Sequence, residues 1–65
     1  MNLKQIEAFV KVANNRSFSQ TAKELYLTQP TISAHISALE EELGVQLFVR
    51  TTKGVRVTEE GKKLY

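Results

Sequence analysis

Residues 28–44 read TQPTISAHISALEEELG, and this stretch decides the fold. Proline is favoured at the first position of a helix and glycine just past the last, so the spacing predicts a helix from Pro30 to Leu43. Thr28 or Gln29 is its expected cap. At about 100° per residue, Ile32, Ile36, Leu39 and Leu43 share one sector, the expected core stripe. The opposite face carries Pro30, Ser33, Ala34, Ser37 and Glu41. The front of that face is small and uncharged, whereas Glu40, Glu41 and Glu42 crowd the last turns. Such a helix keeps its N-terminal end clear and its C-terminal end negative.

Upstream, NLKQIEAFVKVANN places Leu3, Ile6, Phe9, Val10 and Ala13 at helical spacing, with Asn2 and Gln5 set for a capping box and Asn14-Asn15 as the stop. Ser17 and Gln20 repeat that capping spacing, which predicts a second helix from Phe18 with Ala22 and Leu25 on its buried stripe. It is too short to persist without packing. Tyr26, Leu27 and Thr28 turn the chain into the third helix.

Downstream, VQLFVR, TTKG and VRVT form two β-rich runs joined by a glycine-containing turn, a small hairpin. Thr58 then caps a further helix whose first turn holds Glu59 and Glu60, where the helix dipole favours acids. That helix reaches only Tyr65, so the chain reads as a fragment: a domain over 1–58 and the start of a longer linker helix over 59–65. Helix, helix, tight turn, helix, hairpin is the winged helix-turn-helix plan, in a mainly α fold with a three-helix core. The helix-turn-helix is expected at about 18–37 and the two-stranded wing at about 47–58.

Composition narrows the function. With no cysteine, no aspartate and one histidine, the chain offers neither a disulfide nor a thiolate metal site, and no catalytic constellation assembles. No cofactor is expected. No apolar run approaches the roughly 18 residues needed to cross a membrane, and the N-terminus lacks a signal peptide's apolar core, which predicts a soluble, cytoplasmic protein. Five of nine basic residues (Arg50, Lys53, Arg56, Lys62 and Lys63) follow Gly44, against two acids. That polarity suits a partner met on one side.

In this plan the third helix enters the DNA major groove by its N-terminal end. Small residues there let the backbone approach, and the helix terminus brings partial positive charge and free N–H groups towards phosphate. Gln29 has the donor–acceptor pair to read adenine, and Pro30 and Ala34 suit a thymine methyl. Thr31 and Ser33 are candidate phosphate donors, and His35, at the edge of the face, reads as a solvated or groove-edge donor. The hairpin tip, Thr51-Thr52-Lys53-Gly54, suits phosphate or minor-groove contact. Arg50 has two readings, a phosphate contact or a pair with Glu40 or Glu41 across the helix–hairpin junction. Lys62 and Lys63 read as a solvated helix face. Phe9 and Phe18 read as core rather than as a platform for stacked bases. A winged helix used for protein contact or dimerisation is the competing function, and it calls for an apolar outward face on the third helix.

The chain resembles the N-terminal DNA-binding domain of LysR-type transcriptional regulators. The matching elements are F-x-x-V-A, S-F-x-x-[TA]-A-x-x-L, T-Q-P-x-x-S, I-x-x-L-E-x-x-L-G, L-F-x-R-T and V-T-E-x-G, which cover nearly the whole chain in order and without gaps. The resemblance implies a bacterial, nucleoid-associated homodimer or tetramer that binds interrupted palindromes in double-stranded DNA. It also implies a linker helix carrying dimer contacts and an effector domain, absent from this chain, that binds a small molecule. By position it places Gln29, Pro30, Ser33 and Ala34 at the bases, and Ser17, Phe18 (through its backbone), Thr28 and Thr31 at phosphates. Thr52 and Lys53 fall at the wing tip. Many members carry arginine where this chain has Ala34, so His35, a methyl contact or DNA shape must serve at that base step.

Overall fold

Each helix begins where a side chain accepts a free backbone N–H. In the computed structural model, which describes residues 1–65, the elements are α1 (Leu3–Asn15), α2 (Phe18–Leu25), α3 (Gln29–Leu43), β1 (Phe48–Thr51), β2 (Gly54–Val57) and α4 (Glu59–Leu64). Asn2 and Gln5 form the full capping box, with Gln5 N–H donating to Asn2 Oδ1 at 2.9 Å and Asn2 N–H to Gln5 Oε1 at 3.2 Å. Ser17 Oγ accepts from Gln20 N–H at 3.0 Å, but the Gln20 side chain turns away to donate to Glu24. Thr28, not Gln29, caps α3 by accepting from Thr31 N–H at 3.3 Å. The exits are left-handed at Arg16 (φ 54°), Tyr26 (φ 58°) and Gly44 (φ 70°).

The three helices enclose a core of Ala8, Phe9, Val12, Phe18, Ala22, Ile32, Ile36, Leu39, Leu47 and Phe48. Two expected core residues are exposed, Leu3 at 87% and Leu43 at 37%, and Ile6, Val10, Ala13 and Leu25 are only partly buried against the core. The Met1 amino group pairs with Glu42, so both leucines sit at the same end of the α1–α3 pair, where the helices run past the core. On α1 the buried line is Ala8, Phe9 and Val12, with Ile6, Val10 and Ala13 at its borders. Phe48 from the wing ties the aromatics together, its ring 5.4 Å from Phe9 and 6.1 Å from Phe18. Thr21 is fully buried, and its hydroxyl donates to Ser17 O at 2.8 Å, so no buried side-chain polar atom is left unsatisfied.

The wing is an antiparallel pair in which Phe48 faces Val57, Val49 faces Arg56 and Arg50 faces Val55. Side chains alternate across it, so Phe48 and Arg50 turn towards the helices while Val49 and Arg56 turn outward. Glu40 anchors the wing to α3: its Oε2 accepts from Leu47 N–H at 2.7 Å and from Phe48 N–H at 3.4 Å. Thr58 closes the other end, accepting from Gly61 N–H while donating to Gln46 O at 2.6 Å. A Cβ at Gly61 would lie 2.6 Å from both Leu47 O and Val57 Cγ1, so only glycine lets α4 settle this close to the wing.

Candidate nucleic-acid interface

The capping of α3 leaves its front exposed and largely without partners. Gln29, Pro30, Ala34 and Ser37 are exposed, and none of their side chains makes a hydrogen bond within the protein. Ser33 is half-buried on the flank towards the wing, where its Oγ accepts from the Arg50 guanidinium at 3.1 Å. That guanidinium lies 4.2 Å from the centroid of the Phe18 ring, a cation–π contact. Arg50 therefore touches α2, α3 and the wing at once. It forms no ion pair with Glu40 or Glu41, because Glu40 is turned inward onto the Leu47 and Phe48 amides.

Of the other expected residues, Ser17 and Phe18 join Gln29 and Arg50 at this point, whereas Thr28, Thr31, Thr52, Lys53 and His35 lie outside it. A cleft of about 360 Å³ opens between the N-termini of α2 and α3 and the wing, bounded by Arg16, Ser17, Ser19, Gln29, Arg50 and Thr51. Phe18 buries its ring beneath this cleft, while its N–H, at the first position of α2, has no intrahelical acceptor. Thr28 and Thr31 share a hydroxyl–hydroxyl hydrogen bond of 2.9 Å. Thr52 and Lys53 form the exposed wing tip. Thr51 Oγ1 holds that tip by accepting from Lys53 N–H and donating to Gly54 O, and Gly54 absorbs the positive φ of 126°. His35 stands apart. It is half-buried on the flank away from the wing, in a groove with Lys4, Glu7, Tyr26, Leu27 and Thr31.

Two members of the cleft, Arg16 and Ser19, escaped the sequence reading. Arg16 occupies the left-handed exit of α1, and its carbonyl oxygen lies 3.3 Å from where a Cβ on Gly54 would be. That contact seats the wing beside the α1–α2 corner. No local pattern in the sequence links residues 16 and 54. The set comprises guanidinium groups, hydroxyls and free helix N–H groups, with no carboxylate lining the cleft. It is chemistry for holding phosphate.

Residues 3–62 match the family model described as bacterial regulatory helix-turn-helix protein, lysR family. The chain belongs to this family. It is 46% identical over 65 residues to the HTH-type transcriptional regulator BudR of Klebsiella aerogenes, covering 100% of this chain and 46% of that one. It is 43% identical over 65 residues to the nitrogen assimilation regulatory protein Nac of Klebsiella aerogenes, covering all of this chain and 21% of Nac. The chain thus spans less than half the length of these curated relatives. A crystal structure of the BenM DNA-binding domain with catB site 1 DNA superposes with a TM-score of 0.95 at 42% identity, covering 100% of this chain and 73% of that one. Membership makes this chain a winged helix-turn-helix domain of the lysR regulatory family. No helix is long and apolar enough to cross a membrane.

Proposed function

We propose that this domain reads double-stranded DNA by inserting the front of α3 into the major groove. Gln29, Pro30 and Ala34 meet base edges there, and Ser33 does so from the wing-side flank. Ser17, the Phe18 N–H, Thr28, Thr31 and Arg50 hold phosphates on either side, and Thr52 and Lys53 bring the wing tip to the adjacent backbone or minor groove. His35, on the far flank, meets the groove edge rather than the central bases, so Ala34 reads its step through a methyl contact or DNA shape.

One observation carries this reading: the exposed front of α3 is uncharged and unpartnered, and it stands beside a cleft of phosphate-binding groups. The same observation disfavours the protein-contact alternative, since that face is polar and small. In the wider protein, two copies joined through a helix continuing from α4 would read the two halves of an interrupted palindrome in the bacterial nucleoid, in the cytoplasm. A small effector bound by another domain would set the response. The likeness to the regulators BudR and Nac and to the BenM DNA-binding domain bound to DNA supports this assignment.

The test is the salt dependence of operator binding. The log–log slope should fall by about 0.9 for each phosphate neutralised. Lys53→Ala should weaken cognate and random duplexes alike and make the slope shallower by about that amount. A salt-independent affinity would defeat the proposal.

A further inference from the structure

α3 borders the wing on one side only. On the other side, β2 runs along the end of α1 and the start of α4, and a cavity of about 340 Å³ lies between them. Its walls are Ala13, Arg16, Val55, Arg56, Val57 and Lys62, with no acid among them, and Arg56 meets it from the outward face of β2. Neither Arg16 nor Arg56 takes part in an ion pair. Lys62 approaches Glu59 at 3.6 Å, but with 65% and 83% of the two side chains exposed this pair is screened and easily exchanged.

The position of Arg16 gives this groove its meaning. Arg16 and Val55 line both this groove and the cleft beside α3, so the two are continuous around the edge of β2. A cationic path therefore runs from Arg50 through Arg16 to Arg56 and Lys62. Each member comes from a different element, so no single helix face or sequence run reveals it. No carboxylate interrupts this path, so it suits a polyanion such as a nucleic-acid backbone.

We infer that the groove between β2, the end of α1 and α4 holds the phosphate backbone of the duplex flanking the recognised site. The inference rests on the DNA-binding reading above and extends the footprint past the wing. The contact reads no sequence, because guanidinium and ammonium groups on phosphate position a duplex without specifying it. An acidic peptide is the competing occupant. DNA is favoured because the groove shares Arg16 with the cleft that the duplex would already occupy.

The test compares two duplexes carrying the same site, one ending at the wing and one continuing about 10 base pairs, one helical turn, beyond it. The unaltered protein should show a salt slope steeper by about 1.8 on the longer duplex, two phosphates at about 0.9 each. The R56Q/K62Q variant should bind the short duplex as the unaltered protein does, which also shows that it folds. On the long duplex its slope should match the short-duplex value. A variant that keeps the length dependence, or an unaltered protein that lacks it, overturns the inference. So does a decaglutamate peptide that binds the complex with the short duplex and is lost in the variant while the slopes stay fixed. Failure to bind even the short duplex breaks the DNA-binding reading itself. Normal short-duplex binding with no response to the extension breaks only this inference.

Discussion

The two ends of α3 contrast in what their polar side chains do. At the back, Glu40 accepts two backbone N–H groups of the wing, and Glu42 pairs with the chain's own amino terminus. At the front, Gln29 and Ser37 have donors and acceptors with nothing in the protein to satisfy them. Both ends belong to one continuous helix with one buried stripe, so the difference is not one of helix formation. It separates residues that hold the domain together from residues kept available for something else. The acids at the back are therefore more than a means of keeping that end away from phosphate. At least one of them is a strut.

Three substitutions probe this division. Glu40→Ala should lower the unfolding free energy by about 1–3 kcal/mol, because the Leu47 and Phe48 amides lose their acceptor. Urea denaturation measures this, and an unchanged midpoint would show that water replaces the carboxylate at no cost. Gln29→Ala should do the reverse. Its stability should stay within about 0.5 kcal/mol of the parent, while discrimination at one base pair falls by about 1–3 kcal/mol in competition binding. Equal losses on cognate and random DNA would make Gln29 a positioning residue only. The smallest effect belongs to the turn between α2 and α3. Tyr26 is 94% exposed and holds φ 58°, so Tyr26→Asn should raise stability by about 1 kcal/mol by relieving the left-handed strain without loss of packing. A destabilised variant would mean that the ring packs in a way its exposure does not reveal.

Much of this architecture was legible in the sequence because it is written locally. Caps at Asn2, Ser17, Thr28 and Thr58, a proline at the start of α3 and a glycine at its end are short-range signals, and each helix begins at the cap they mark. What stayed hidden depends on contacts between distant residues. Periodicity assigned Leu3 and Leu43 to the core, but it says nothing about where one helix outruns its neighbour. The role of Glu40 needed the wing's amides brought beside it, and Arg16 entered the cleft only through its contact with Gly54. The pairing suggested between Arg50 and Glu40 or Glu41 followed charge alone. In the structure an aromatic face and a serine hydroxyl hold that arginine instead. The outward positions Pro30 and Ala34 were the readable part of the candidate site, since helical geometry alone sets them opposite the stripe, while Gln29 followed from its place at the helix start.

The resting place of Arg50 has a thermodynamic consequence. Fixing a long side chain in a bound complex costs roughly 0.5–1.5 kcal/mol of conformational entropy. Arg50, stacked on Phe18 and bonded to Ser33, has surrendered much of that freedom before any duplex arrives. Lys53, at the exposed wing tip, keeps its freedom until contact. Two cations of equal charge on one hairpin thus differ in preorganisation. In the proposed complex the arginine would meet phosphate as a fixed fork, whereas the lysine would be ordered only on contact.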